Sequence, residues 1–305
     1  MDLATFRSFE LDVPPADAWQ GTVGDAVPSD AELQAMLARF LVAQECREHN
    51  PLIHSERKPM RLNWRNAVKH FRALKSDKES TRESFHVFEA LPWIGMADAA
   101  CRFVTSEQGK AIYASEPFLP AILDDHVSLR RLPTGSLVHA YCDHMEREEL
   151  SAAGLIAEYE EWRGGRVRLD DKVEWYADRL RDTHDLLHVL SGFGRDALGE
   201  QCVLAMVFKQ RPSIGHLFVG YAGAAVTRLD SHWKVPVLRS VFEARKIGKA
   251  CLPIAEQPII ALLAMPLEEV RKRLNMRPAH YYHEAHRIWR EEGTDPRLVL
   301  AKAAD

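Results

Sequence analysis

Apolar residues recur at helical spacing along most of this chain, whereas no alternating run is long enough to indicate a sheet. Helix starts are marked by capping boxes at Ser29 with Glu32 and at Ser80 with Glu83, and by Ser151 before an apolar segment. The pattern predicts helices near residues 29–50, 61–75, 80–91, 97–107, 117–130, 137–147, 151–162, 171–192, 196–210, 213–229 and 238–250, and from Pro266 onward. We therefore expect a mainly α fold, a single-domain helical bundle.

The breaks in the helical pattern divide the chain into three parts. Residues 1–28 contain several prolines and glycines and form an N-terminal arm. Residues 29–277 form the predicted helical domain, and residues 278–305 a C-terminal extension. No internal repeat or low-complexity segment suggests a different organisation.

Composition and charge exclude several classes of protein. The 305 residues are 46% hydrophobic and 28% charged, which is typical of a globular protein and not of a disordered, collagen-like or polytopic membrane chain. The longest apolar stretch has about 13 residues, too few to span a bilayer, and its Gly215, Gly220 and Gly223 suggest close helix packing. The net charge of −4 gives no reason to expect a nucleic-acid partner.

Cysteine usage and the N-terminus favour a bacterial protein of the cytoplasm. The five cysteines are odd in number and widely spaced, without a C-x-x-C pair, which indicates a reducing compartment rather than a disulfide framework. Residues 1–15 have neither the apolar core of a secretory signal nor the Arg- and Ser-rich character of an organellar transit peptide.

The segment with the clearest chemical pattern is a predicted helical hairpin at residues 171–210. His184 and His188 are four positions apart, so both imidazoles share one helix face and can bind one metal ion. Asp185 can reach the same ion or orient one of its ligands. Glu200 follows on the returning helix, which places its carboxylate opposite the two histidines.

Zinc, iron, manganese and cobalt all suit such a group of imidazoles and carboxylates. Two interpretations without a metal remain open at this point: a hydrogen-bonded His/Asp pair in the core, and a polar cluster on the surface. A polar group that faces an apolar interior costs several kcal/mol, roughly, unless it is paired or bound to a metal.

The same residues carry a family signature. His-Asp-x-x-His, followed by eleven residues and a glutamate, is the motif of the ubiquinone (coenzyme Q) biosynthesis protein 4 family. Here it reads His184, Asp185, His188 and Glu200, with no gap to adjust. Further segments are similar to the family as well: Tyr176 with Arg179 and Arg181, residues 132–155 and residues 243–276. In all, the chain resembles this family over about residues 61–277.

The resemblance implies a helical bundle that holds a polyprenyl lipid in an apolar cavity. It implies a divalent metal, commonly zinc, with four ligands that also form the catalytic group: His184, Asp185, His188 and Glu200. The implied reaction belongs to ubiquinone biosynthesis. It replaces the carboxylate at ring carbon 1 of a prenylated 4-hydroxybenzoate-type precursor by a hydroxyl, which is an oxidative decarboxylation and hydroxylation.

Expectations about substrate and partners follow. Arg179 and Arg181, with Tyr176 beside them, are expected to contact the acidic head group, since guanidinium groups bind carboxylate and phosphate well. Their alternative role is that of a solvated or ion-paired helix face. The implied location is the cytoplasm, peripheral to the inner membrane. Implied partners are the prenylated precursor, the membrane surface, other ubiquinone biosynthesis proteins and a second copy of the chain.

Two other functions compete with the enzyme. One is a scaffold that presents prenyl lipid to the biosynthetic complex and uses its metal structurally. The other, less favoured, is a metallohydrolase, in which Asp185 would be a shorter general base than the glutamate of zincin proteases. Two further histidine groups are interpreted as packed or exposed helix residues rather than metal sites: His280, His283 and His286, and His139 with Asp143 and His144.

Overall fold

The computed structural model of the protein describes residues 50–76 and 80–300. The predicted N-terminal arm and the helix predicted at residues 29–50 lie outside these residues. Within them the chain is helical and forms no β-strand, which confirms the mainly α fold. None of the helices in the described ranges has both the length and the apolar character needed to cross a membrane.

The helices follow one another with short connections. The first half of the described chain contains α1 Trp64–Ser76, α2 Thr81–Ala90, α3 Met96–Thr105, α4 Glu107–Ser115, α5 Leu119–Leu123, α6 His126–Leu129, α7 Leu137–Arg147 and α8 Ala152–Arg163. The second half contains α9 Lys172–Asp182, α10 His184–Ser191, α11 Ala197–Val207, α12 Ile214–Asp230, α13 Val237–Ala250, α14 Ile259–Leu263, α15 Leu267–Arg273 and α16 His280–Glu291. Single 3₁₀ turns lie at Ile254–Glu256 and Pro296–Leu298.

The caps predicted at Ser80 and Ser151 are confirmed, and the one predicted at Ser29 lies outside the described residues. The Ser80 hydroxyl accepts a hydrogen bond from the backbone N–H of Glu83, and Ser151 does the same for Gly154. Predicted and observed bounds agree within a few residues for most helices. The helices α4 and α14 were not predicted, because their nine and five residues are too few to show a clear apolar period.

Two predicted helices are each divided in the structure. The prediction of one helix over 171–192 is wrong: it breaks at Thr183, whose hydroxyl donates to the carbonyl of Arg179 at 2.8 Å. The segment 117–130 also forms two short helices. There the carboxylate of Asp124 accepts the backbone N–H of Ala152 at 2.7 Å, and Asp125 caps the second helix.

Helix α11 lies at the centre of the bundle. It is buried along almost its whole length and packs against α12 and α13. Glycines allow this close approach, as predicted for α12: a side chain on Gly220 would lie 3.1 Å from the Gln201 carbonyl oxygen. On α13, a side chain on Gly248 would lie only 1.9 Å from the Met206 carbonyl oxygen. Because α11 is packed on several sides, the positions of its residues, among them Glu200, are well defined.

The C-terminal extension belongs to the same core as the preceding helices. Helix α16 packs on α13, and its Tyr282, Ala285 and Trp289 are buried in the main hydrophobic cluster. The predicted boundary between residues 277 and 278 therefore does not separate two structural units, because the apolar face of α16 covers the bundle. In sequence this face was obscured by the histidines around it.

Candidate metal centre

A tight turn sets α10 and α11 beside each other. Helix α10 ends at Gly192, whose φ of +76° lies in the left-handed region that favours glycine. Asp196 begins α11 by accepting the backbone N–H of Gly199 at 3.2 Å. A side chain on Gly199 would lie 1.9 Å from the carbonyl oxygen of Gly194, so glycine is required where the helix start packs on the turn. The chain thereby reverses between the predicted histidines and the predicted glutamate.

Three side chains meet across this hairpin. Nε2 of His188 lies 3.3 Å from Nε2 of His184 and 3.4 Å from Oε1 of Glu200. Nε2 of His184 lies 3.8 Å from Oε2 of Glu200. Ligand atoms of one tetrahedral zinc ion stand about 3.3–3.6 Å apart, so this spacing fits a shared ion. Among residues 50–76 and 80–300, this is the trio of metal-binding side chains that the structure brings together.

Burial and charge couple the members of this trio. Nδ1 of the fully buried His188 donates to the carbonyl of Phe193 at 3.1 Å, which turns Nε2 toward Glu200. Burial disfavours a charged imidazole, but the Glu200 carboxylate outweighs it and raises the pKa of His188 to about 9. Burial also opposes ionisation of Glu200, yet His188 and His184 hold the pKa of this carboxyl well below its usual range. In the absence of a metal, a proton on His188 therefore balances the charge of Glu200.

Asp185 does not join the trio. Its carboxylate contributes no atom to the group of ligand atoms, although it lies at the wall of the adjacent cavity. Its negative charge contributes to the raised pKa of His188. In this arrangement Asp185 acts on the trio through its charge, and both predicted roles, coordination of the ion and orientation of a ligand, stay predictions.

The trio opens onto a large cavity. The cavity has a volume of about 1090 Å³, at the upper end of the range for small-molecule sites. His184 and Glu200 lie in its wall, and about a third of the Glu200 side chain is exposed there. The wall is otherwise largely aromatic and aliphatic, with Phe71, Phe85, Phe88, Trp93, Met96, Leu155, Tyr159, Trp162, Leu180, Leu204, Val219 and Val226. Such a lining suits an apolar chain whose polar end faces the trio.

Two cavity residues were missed in the sequence. The guanidinium of Arg211 is buried at the cavity wall and donates to the carbonyl of Leu180 at 2.9 Å. No carboxylate of the described residues forms an ion pair with it, and burial lowers its pKa to about 10. Nearby, His216 is stacked on Phe88, and its buried Nδ1 has no hydrogen-bond partner among the residues that the structure describes. No local motif marks either residue, because only the packing of α12 beside α11 brings them to the cavity.

The residues predicted to contact a substrate head group are mostly engaged elsewhere. Arg179 is buried in an ion pair with Glu116, 2.6 Å from Nη2 to Oε2, and also donates to the Ala255 carbonyl. Tyr176 donates its hydroxyl to Glu256 at 2.8 Å. Neither Tyr176 nor Arg179 is part of the cavity wall. These contacts account for both residues structurally and direct both side chains away from the cavity.

Arg181 does lie in the cavity wall, but it is also paired. Its guanidinium donates to Asp178 at 3.0 Å and to Asp182 at 2.8 Å. Its charge is therefore already balanced by its own helix. Arg195 also lies in the cavity wall, with its Nε 4.0 Å from Oε1 of Glu200. Of the cavity arginines, Arg211 is therefore the one that no carboxylate of the described residues neutralises.

The other histidine groups do not form metal centres in the described residues. The ring of His144 stacks on His188 with centroids 5.7 Å apart, and burial lowers its pKa to about 4. Asp143 pairs with Arg130 instead of a histidine. On α16, His286 faces inward, with Nε2 at 3.2 Å from Oδ1 of Asp196. His144 and His286 therefore pack close to the trio but contribute no ligand atom to it.

Comparison with known proteins decides the family. The sequence profile described as "Coenzyme Q (ubiquinone) biosynthesis protein Coq4" matches residues 93–280, well over half of the chain. The chain belongs to the Coq4 family. This match includes α10, α11 and the trio between them, whereas α1, α2 and nearly all of α16 lie outside it.

Individual relatives are more distant. Two mitochondrial proteins of Culex quinquefasciatus, ubiquinone biosynthesis protein COQ4 homologs 2 and 1, are each 28% identical over 102 residues. The alignment takes 33% of this chain and only 43% and 35% of the two Culex proteins. A solved structure from Nostoc punctiforme, of a protein assigned to ubiquinone biosynthesis, is similar with a TM-score of 0.52 and 20% identity. It covers 71% of this chain and 100% of the Nostoc chain, and it supports the helical fold.

Proposed function

We propose that this Coq4-family protein is a metal-dependent enzyme of ubiquinone biosynthesis. The proposed substrate is a prenylated 4-hydroxybenzoate-type precursor, whose carboxylate at ring carbon 1 is replaced by a hydroxyl. The observation that carries the proposal is the meeting of His184, His188 and Glu200 at the wall of a large apolar cavity. A cavity of this kind accommodates the prenyl chain while the ring carboxylate reaches the trio.

The trio fits a catalytic metal better than a structural one. Structural zinc is usually closed by four protein ligands, whereas catalytic zinc keeps three and an open position. Here three ligand atoms converge and the cavity supplies the open side. A divalent ion held by His184, His188 and Glu200 would polarise the carboxylate at ring carbon 1. Zinc is the first candidate, with iron, manganese and cobalt as alternatives for the assay to compare.

The chain's own residues have separate roles in this proposal. The aromatic wall around Phe85, Phe88 and Trp162 holds the prenyl chain and excludes water, which strengthens electrostatic interactions at the ring. Arg211 pairs with the ring carboxylate or another anionic group of the substrate, because no carboxylate among the described residues pairs with its buried charge. His216 lies in the same cavity wall as Arg211 and His184, and burial lowers the pKa of its imidazole.

We also propose that the protein works at the surface of the inner membrane. Its prenylated substrate is dissolved there, so a protein that binds it has to collect it from the bilayer. Leu229 and Trp233 are 85% and 70% exposed, and Lys234 lies next to them, a combination that suits a surface of anionic lipid. Contacts with other ubiquinone biosynthesis proteins and a homodimer remain part of the same proposal.

The test is turnover with a defined substrate. Purified protein is loaded with zinc, iron, manganese or cobalt in turn and given a prenylated 4-hydroxybenzoate in detergent with dioxygen. The reaction is a two-electron oxidation that releases carbon dioxide. Dioxygen accepts the two electrons and becomes hydrogen peroxide, and water supplies the hydroxyl oxygen. Mass spectrometry follows the exchange of carboxylate for hydroxyl. Glu200→Ala and His184→Ala are expected to abolish product, while Glu107→Ala, at a residue whose side chain is 93% exposed, is expected to match wild type.

Binding data separate the remaining alternatives. Native mass spectrometry of wild type and Arg211→Gln weighs bound metal and bound lipid together. Wild type is expected to retain both, and Arg211→Gln to keep the metal and lose anionic prenyl ligands. Retention of both by wild type without turnover under any metal would support the scaffold. Turnover that survives both Glu200→Ala and His184→Ala would refute the role of the trio.

A further inference from the structure

Tyr282 of helix α16 contacts the turn between the two metal-ligand helices. Its hydroxyl donates to Oδ2 of Asp196 at 2.5 Å and accepts the backbone N–H of Gly194 at 2.8 Å. Its ring packs edge-on against Phe193, with centroids 5.2 Å apart. Tyr282 is almost completely buried, so these contacts occur in a setting where hydrogen bonds are strong.

The residues of the turn that Tyr282 contacts also form hydrogen bonds with two of the metal ligands. The carbonyl of Phe193 accepts Nδ1–H of His188, which fixes the orientation of that imidazole. Asp196 caps α11, and its carbonyl accepts the backbone N–H of Glu200 at 3.0 Å. Displacement of the turn would therefore rotate His188 and move Glu200 at the same time.

This contact has little freedom to relax. A side chain on Gly194 would lie 2.9 Å from both Oδ2 of Asp196 and the hydroxyl of Tyr282, so the three groups are packed closely. His286, one turn further along α16, lies 3.2 Å from the other oxygen of Asp196. Removal of the tyrosine hydroxyl would leave a buried carboxylate oxygen and a backbone N–H without this partner.

We propose that Tyr282 is a positioning residue of the metal centre, acting through the turn at residues 192–196. The inference rests on the proposed function, since it concerns the metal of that site. Groups that orient metal ligands commonly affect affinity by about 10–100-fold. Because Tyr282 lies beyond the region matched by the family profile, the C-terminal extension would be part of the working site and not an appendage.

The first measurement is zinc affinity of the full chain, by competition with a chromophoric chelator at fixed pH. Tyr282→Phe removes one hydroxyl and keeps the ring, and we expect it to weaken zinc binding about 10–100-fold. Asp196→Asn, which weakens the same contact from the other side, is expected to act in the same direction. The matched control is Tyr176→Phe, which removes another buried hydroxyl donating to a carboxylate, Glu256, away from the turn. Its zinc affinity should stay at the wild-type value, even where its melting temperature falls.

The second measurement needs no metal. In ¹⁵N-labelled metal-free protein, the Nδ1–H of His188 should be protected from exchange in wild type and Tyr176→Phe, and unprotected in Tyr282→Phe. Wild-type zinc affinity and a protected Nδ1–H in Tyr282→Phe and Asp196→Asn would overturn the inference. If wild type binds no zinc, the proposed metal function fails, and the exchange data alone decide whether Tyr282 positions His188.

Discussion

Metal binding at the trio should release a proton, and its pH dependence reports on the pair formed by His188 and Glu200. A metal binds neutral imidazole, whereas in the metal-free protein Glu200 raises the pKa of His188 to about 9. At pH 7 the ion must therefore displace a proton from His188. Zinc affinity should therefore rise with pH, up to the pH at which His188 is already neutral in the metal-free protein.

The steepness of the pH dependence of zinc affinity shows whether Glu200 raises the pKa of His188 or leaves it at its ordinary value. With a pKa of about 9, His188 stays almost fully protonated from pH 6 to 8. Each pH unit then raises zinc affinity about tenfold, or about 100-fold over the range. A histidine with an ordinary pKa of about 6.5 would contribute only about a fourfold rise over the same range. The two cases differ by more than an order of magnitude.

The assay is zinc titration at pH 6, 7 and 8 with free zinc fixed by a chelator buffer. Calorimetry in buffers of different ionisation enthalpy counts the protons released, and about one is expected at pH 7. In Glu200→Gln the carboxylate that raises the pKa of His188 is gone, so burial keeps this imidazole neutral. The variant should bind zinc more weakly and with a much flatter pH dependence. Equal slopes in wild type and Glu200→Gln would refute the coupling.

Three further predictions concern stability, measured by urea denaturation of metal-free protein. Folding raises the pKa of His188, so the proton on this residue stabilises the folded state fully below about pH 6.5, and this stabilisation is lost as the pH rises through 9. The free energy of unfolding should fall by on the order of 3 kcal/mol over this range. A free energy of unfolding that does not change with pH would contradict this. Glu116→Gln leaves the buried Arg179 charge without its carboxylate and should lower the free energy of unfolding by about 3–5 kcal/mol. A decrease below about 1 kcal/mol, the size expected for an exposed ion pair, would contradict this. Gly248→Ala places a methyl group against the Met206 carbonyl and should cost about 1–3 kcal/mol, and unchanged stability would show that α13 moves away freely.

Helix positions were predictable wherever their signals are local. A capping box such as Ser80 with Glu83 is complete within four residues, so its structure follows from its own sequence. The break at Thr183 was not predictable, because the apolar period continues through it and only the hydroxyl contact to Arg179 marks it. The assignment of Arg179 itself failed for a similar reason, since its partner Glu116 is 63 positions away.

In the candidate site, too, the residues set by local sequence were predictable and those brought in by distant helices were not. His184 and His188 share a helix face by spacing alone, and Glu200 needs only one turn to come opposite them. Arg211 and Tyr282 come to the site from other helices, and neither has a motif. The sequence therefore identifies which side chains can bind a metal, whereas the fold shows what surrounds them: Tyr282 contacts the turn between their helices, and Arg211 lies in the cavity wall. If Tyr282 and Arg211 act as proposed, the ligand motif is not sufficient for function, and chains that keep the motif but lack these two residues should bind metal weakly or take a different ligand.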